Sequence, residues 1–541
     1  MIWSSPPSAF LLAVSWRERI ERALFDDTFD GIHQLSWFDY SLLIPYFILL
    51  CVLAIYGLHR YEVIITYLRH RKEPQPRPAS LFERLPRVTI QLPLYNERFV
   101  VERLLEETTK IDYPRELLEI QVLDDSTDET HPFAERLCGE YRAQGHPVQY
   151  IHRTNRHGFK AGALEEGLQV ASGEFVAVFD ADFVVPRDFL LRTIHYFTDP
   201  KVGVVQTRWS YLNRYYNLLT EVQGMLLDGH FILEHNARFR AGLFFNFNGT
   251  AGVLRKSMIR DSGGWEHDTL TEDSDLSYRA QLKGWKFVYA PDVECPSELP
   301  VDTHGFQVQQ SRWAKGLTQV AIKLLMRILK SDAPLKVKME AFCHLTPNLT
   351  YPLTIVVTAL MLPVMIVRFY IGWQQMLLVD VPLLMATCGS VVVFYVFAQW
   401  ERDRKSLFRA ILMMPVLMAA GAALTVINTR AVVEALLGVQ TAFARTPKYA
   451  IAANGERRKD TPSKYRGKAG WLPWVELAIG TWFAFMVFYS IDTMNLLAVP
   501  LLSIMVAGYW WAAFSTLQRE WKDRLAWHRA RRLETRQTSV V

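Results

Sequence analysis

Cysteine is scarce in this chain. Five are scattered over 541 residues, at Cys51, Cys138, Cys295, Cys343 and Cys388, with no CxxC pair and no even set of spacings. That speaks against a disulfide framework and leaves them as small core or membrane residues. A large excess of one charge is also missing. The formal net charge is only +5, and Lys and Arg cluster beside apolar segments, which reads as a membrane-side bias and not as nucleic-acid binding. Nor is there a convincing signal peptide. The apolar stretch SAFLLAVSW is short, and basic residues follow it instead of preceding it, so residues 1–39 read as an interfacial segment.

What is present is an unusual pairing: 50% hydrophobic residues alongside 21% charged ones. The combination predicts a chain divided between water and lipid. A bilayer span needs about 20 apolar residues, and stretches of that kind lie at 40–58, 349–367, 376–397, 474–491 and 496–514. A shorter one covers 411–427. HRYEVIITYLRHRK (59–72), ERDRKSLFR (401–409), the stretch 441–470 and the C-terminal REWKDRLAWHRARR are basic, which places them on the cytosolic side. That orientation requires 411–427 to enter and leave on one face. Five crossings and one re-entrant or interfacial helix are expected, with Pro415 and Gly421 as places to break it.

The resulting plan is a membrane helix at 40–62 and a cytosolic domain at 63–302. Interfacial helices follow at 303–345 and membrane or re-entrant helices at 346–440. A cytosolic loop at 441–470, two membrane helices at 471–516 and a basic tail at 517–541 complete it.

The central segment changes texture. VTIQLPLYN, LEIQVLDDS, VQYIHR and EFVAVFDADF are apolar runs of strand length, alternating with helical patterns such as ERFVVERLLEETTKI and KAGALEEGLQVA. This predicts an α/β fold with an open, mostly parallel sheet, whose ligands bind beyond the carboxyl ends of the strands. Acidic groups sit at those ends. Asp124 and Asp125 close one strand, and could equally be a turn in which Ser126 or Asp128 caps the next helix. Asp180 and Asp182 close another. Two like charges there are costly unless a cation is bound, and hard oxygen ligands suit Mg²⁺ or Mn²⁺ held with substrate phosphates.

TEDSDLSYRA (271–280) is either a helix start capped by Thr271 or the source of a base for an attacking hydroxyl. Lys160 precedes a small-residue turn into a helix, suited to a phosphate or ribose. In QVQQSRWAKG, Gln309 and Arg312 share a helical side, and Trp313 offers a flat face for a sugar ring.

Six motifs, PLYNE (93–97), LDDS (123–126), KAG (160–162), DAD (180–182), TED (271–273) and QQSRW (309–313), occur in an order that resembles the family-2 glycosyltransferases. The likeness is to the membrane-embedded polysaccharide synthases, especially plant cellulose-synthase-like A and C proteins, with bacterial cellulose synthase and hyaluronan synthase more distant. It covers roughly residues 85–450. It implies a GT-A-type, Rossmann-like cytosolic domain inserted in an α-helical transmembrane bundle.

It further implies an inverting transfer from a nucleotide-sugar to a growing polysaccharide, UDP-glucose first and GDP-mannose close behind, with secretion through the protein's own channel. The roles carried over are Asp273, with Glu272, as catalytic carboxylates, and Asp180 and Asp182 as metal ligands. Pro93, Tyr95, Glu97, Asp124, Asp125, Lys160, Gln309 and Arg312 would hold the nucleotide-sugar, and Trp313, Gly249 and Thr250 the acceptor. TAFARTPKYA (441–450) resembles a gating loop through Phe443, Thr446 and Lys448, but carries Arg445 where valine is usual.

Glu476, inside an apolar span, is either channel-lining or a helix-packing residue. The membrane expected is the inner or plasma membrane of a bacterium. The rival readings are a non-processive enzyme that glycosylates a lipid, and a non-enzymatic transporter.

Overall fold

A computed structural model of the chain describes residues 34–371, 377–441, 448 and 470–538. Its centre is a seven-stranded sheet in the order β3-β2-β1-β4-β6-β5-β7. The strands are β1 (Val88–Leu94), β2 (Leu118–Asp124), β3 (Val148–His152), β4 (Phe175–Val178), β5 (Val202–Tyr211), β6 (Gly252–Arg255) and β7 (Lys286–Ser297). Only β6 runs antiparallel to its neighbours, so the sheet is mostly parallel, as the strand–helix alternation predicts. Both faces are covered, which is why these strands read as continuous apolar runs. Val88, Ile90 and Leu92 pack into one core layer, and Val176 and Val178 into the other. Among the polar exceptions, Gln91 donates to Gln121 on the adjacent strand at 3.0 Å.

Helices α1 (Trp37–His70), α2 (Val101–Thr109), α3 (Thr130–Ala143), α4 (Phe159–Val170), α5 (Leu218–Asp228) and α6 (Glu272–Leu282) precede, cross over or flank the strands. Beyond the sheet come α7 (Thr303–Lys330), α8 (Leu335–Leu345), α9 (Thr350–Tyr370), α10 (Ser390–Arg402), α11 (Leu407–Leu436), α12 (Leu472–Asp492) and α13 (Val499–Thr538). Six of the described helical stretches are long and apolar enough to cross a membrane. They carry exposed apolar bands, with Trp37, Ile44, Trp474 and Phe488 more than half exposed. Such surface needs lipid around it.

The first of these helices is longer than the 40–62 expected. A capping box between Ser36 and Asp39 starts α1, and the helix runs on to His70. Its far end is tied to other elements: His59 meets Glu340 at 2.8 Å, and Arg71 meets Glu401 at 3.0 Å.

The stretch around 411–427 departs from expectation in one respect. α11 is a single unbroken helix through Pro415 and Gly421, about 45 Å long. Proline in an apolar helix removes one backbone bond, and neighbouring helices tolerate the gap. Both ends of α11 are tied to other helices. Arg409 pairs with Glu221 of α5 at 2.5 Å, and Glu434 accepts from Lys315 of α7 at 2.8 Å. The break expected at these residues is therefore not found, and α11 lies within one of the six stretches long and apolar enough to cross a membrane.

Candidate functional site

β1, β2 and β4 end on the same side of the sheet, because they are parallel and paired in register, Leu94 opposite Asp124 and Gln91 opposite Val178. Their trailing residues, the start of α4, the loop before α6 and one side of α7 enclose a cavity of about 170 Å³. Pro93, Tyr95 and Glu97 line it from β1, Asp125 from β2, and Asp180 and Asp182 from β4. Lys160 enters from α4, Gly249 from the loop before β6, and Glu272 and Asp273 from the start of α6. Gln309, Arg312 and Trp313 close it from α7, and Lys448 reaches in from the 441–470 segment. The motifs that are far apart in the chain therefore share one space. Phe443 and Thr446 lie outside the described residues.

Two expected residues are not in the wall. Asp124 is fully buried on the other side of the β2 end, where its carboxylate accepts from the Ser126 amide at 2.9 Å and from the Tyr150 hydroxyl at 2.6 Å. Successive residues of an extended chain face opposite ways, so of the Asp-Asp pair only Asp125 looks into the cavity. Thr250 is also fully buried, and its hydroxyl accepts from the Asp180 amide at 2.8 Å. It holds the 180–182 turn instead of meeting an acceptor. Thr271 stands at the start of α6 without capping it; its side chain lies against Gly316.

The charges are arranged in pairs. Lys160 sits 2.6 Å from Asp180 and donates to the Gly249 carbonyl at 3.0 Å. Burial works against its ammonium, but Asp180, Glu272 and Asp273 outweigh it and raise the lysine above its ordinary pKa. Lys448 lies 2.5 Å from Asp182. Burial opposes this ammonium too, and Asp182 and Glu97 raise it. Arg153 holds both oxygens of Asp125, at 2.7 and 2.5 Å. Asp273 is different. Burial first, and the neighbouring Glu272 charge second, push its carboxyl up to about 7, against the pull of Lys160. A carboxyl balanced near neutral pH is poised to take up a proton.

The Asp182 oxygen not facing Lys448 is buried and has no hydrogen-bond partner among the described residues. A buried carboxylate oxygen normally has one. With Asp180 beside it, this hard-oxygen pair fits a divalent cation.

Several wall residues carried no signal strong enough to single them out. Arg156 lies 3.2 Å above the Tyr95 ring, and Asn248, Trp209, Tyr211 and Glu298 complete the lining. Arg153 and Arg156 come from one cationic run, HRTNRHGFK, and Glu298 from PSELP, so the sequence does contain them; only the fold brings them in. Glu476 is not in the cavity. It is buried in the helical bundle and accepts from Gln307 at 3.2 Å, the helix-packing alternative of the two considered. A larger cavity of about 560 Å³ opens beside β5, but Arg208 and Arg214 there are already paired with Glu294 and Asp228.

Comparison with known proteins bears on the domain that carries this cavity. Residues 86–316 match the family described as Glycosyltransferase like family 2. A probable glucomannan 4-beta-mannosyltransferase 11 of Oryza sativa subsp. japonica is 43% identical over 251 residues, covering 46% of this chain and 44% of the relative. Glucomannan 4-beta-mannosyltransferase 9 of Arabidopsis thaliana is 41% identical over 249 residues, covering 45% and 47%. The chain spans about half the length of the curated relatives it matches. Both are plant proteins, which lends no support to the bacterial membrane expected. Among solved structures, mannosyltransferase PcManGT from Pyrobaculum calidifontis in complex with GDP-Man and Mn²⁺ is 24% identical, covers 64% of this chain and 98% of that one, and superposes with a TM-score of 0.46. That likeness is too loose to argue from.

Proposed function

We propose that this chain, whose residues 86–316 form a family-2 glycosyltransferase domain, transfers hexose from a nucleotide-sugar to a growing β-linked polysaccharide with inversion at the anomeric carbon. The observation that carries the reading is the shared cavity: Asp182, Asp273 and Trp313 line one space, with Asp273 near 7.

In that reading the Asp273 carboxylate accepts the proton of an acceptor hydroxyl. The hydroxyl oxygen attacks the anomeric carbon, and the bond to the diphosphate breaks on the opposite face. One displacement needs one base and no second nucleophilic carboxylate. Arg312 and Lys160 bring positive charge to the diphosphate side of the cavity. Trp313 supplies a stacking face for the acceptor ring. Asp180 and Asp182 would hold Mg²⁺ or Mn²⁺, which supplies charge neutralisation for the leaving diphosphate.

The relatives named as glucomannan mannosyltransferases favour GDP-mannose and a mannan or glucomannan product over the UDP-glucose placed first from the sequence. Positive charge beside the helices supports a cytosolic site, from which a lengthening product would leave through the helical bundle. Purified protein incubated with radiolabelled GDP-mannose, UDP-glucose and related donors, with Mg²⁺ or Mn²⁺, tests the proposal. High-molecular-weight label released by β-mannanase is the expected result; a single-sugar lipid, or no transfer from any donor, overturns it.

A further inference from the structure

On the far side of the β2 end from the cavity, three side chains converge. Asp124 closes β2, His152 closes β3 directly opposite it, and His131 stands in the first turn of α3. The Nδ1 atoms of His131 and His152 each lie 3.6 Å from Asp124 Oδ2. The two imidazoles are stacked, their centroids 3.9 Å apart. None of the three lines the carboxylate cavity.

We propose that Asp124, His131 and His152 form a second metal site, for a first-row transition cation such as Zn²⁺. Around a tetrahedral ion with Zn–N and Zn–O bonds of about 2.0–2.2 Å, ligand atoms stand roughly 3.3–3.5 Å from one another. The observed Nδ1–Oδ2 distances of 3.6 Å match that spacing, and rotation of one imidazole out of the stack brings both Nδ1 lone pairs onto one ion. The donor set is two imidazoles and one carboxylate, which suits Zn²⁺, Co²⁺ or Mn²⁺ better than Mg²⁺. Asp124 is wholly buried, while the His131 and His152 side chains are 36% and 25% exposed, so an ion can enter from solvent.

The competing account is a plain hydrogen-bond network. Tyr150 supplies part of one: its hydroxyl is 2.6 Å from both Asp124 Oδ2 and His131 Nδ1. His152 decides between the two. Its Nδ1 is buried, points at Asp124 and has no hydrogen-bond partner among the described residues, whereas buried polar atoms of a purely structural network are normally satisfied. An ion bound here would take the His131 Nδ1 lone pair, release the Tyr150 contact and take the His152 Nδ1 lone pair. It would also clamp β2 to β3 beside Asp125 and Arg153, the next residue of each strand, whose ion pair borders the cavity.

Full-length protein in detergent, stripped with chelator, is titrated with Co²⁺ in excess Mg²⁺, so that the oxygen sites are filled by the harder ion. The expected result is one equivalent of Co²⁺ with visible bands of nitrogen coordination, displaced by Zn²⁺. X-ray absorption of the wild-type complex should report two imidazoles. His131→Gln and His152→Gln should each weaken binding more than about tenfold, and Asp182→Asn should leave it unchanged. Absence of saturable Co²⁺ binding under Mg²⁺, or binding lost in Asp182→Asn and kept in both histidine variants, overturns the site. The wild-type spectrum decides the matter even if a variant folds poorly.

Discussion

At the scale of single residues, Asp273 makes the sharpest predictions. As a base it must be ionised, and with its pKa near 7 kcat/KM should rise with pH through that region and fall below it. Glu272 contributes negative charge that makes this ionisation harder. Glu272→Gln should therefore move the acidic limb to lower pH, read from pH–rate profiles of the two enzymes. Asp273→Asn should lower kcat by roughly 10²–10⁴, and glycan output unchanged in membranes carrying this variant would remove the catalytic role.

Gly249 is constrained in two ways. Its φ is +78°, and a Cβ there would sit 2.9 Å from Asp273 Oδ2. Gly249→Ala should nearly abolish transfer. Gly242 has a similar φ of +65° but open space around it, so Gly242→Ala should cost about 1–2 kcal/mol of stability and leave activity intact. A thermal melt and an initial rate on both variants separate steric intrusion from backbone strain.

At the scale of elements, the legible strands were the ones with clear apolar runs, β1 to β4, of which β2 and β4 run into paired carboxylates. The later strands β5, β6 and β7 gave weaker patterns: β6 is only four residues, and β5 ends in the mixed RWSY. Sequence spacing brought the right motifs to the right strand ends. It could not say that Asp125 faces in while Asp124 faces away, or that Thr250 props Asp180 from behind, because both facts depend on which face each backbone bond turns to. Lys448 and Arg156 reach the cavity through contacts distant in sequence, Lys448–Asp182 among them, and no local pattern encodes such approaches.

The packing of α7 against the start of α6 is similarly tertiary. A Cβ at Gly316 would lie 2.5 Å from Thr271 Cγ2 and 2.9 Å from its backbone nitrogen. Gly316→Val should push α7, and Trp313 with it, away from Asp273. A raised acceptor KM with little change in donor affinity is the expected signature; unchanged KM would mean that the helix accommodates the side chain.

At the scale of the whole molecule, the arrangement of α11 is the most testable feature. Arg409 and Glu434, near its two ends, pair with α5 and α7, and we propose on that ground that both ends lie on one side of the bilayer. On a background without the native cysteines, Lys405→Cys and Gly438→Cys should react with an impermeant maleimide from the same side of sealed vesicles. Met494→Cys, between α12 and α13, should react only from the other. Labelling of 405 and 438 from opposite sides would instead make α11 a true crossing.

The Lys448 ammonium seated on Asp182 means that this protein carries its own tethered counter-ion. In the proposed reaction, a donor arriving with its cation would not fall into a bare electrostatic well; it would trade places with a lysine. The overall charge of the chamber then stays nearly level from resting state to loaded state. Affinity becomes a small difference between two comparable attractions, a condition that favours prompt release of the spent nucleotide between successive additions.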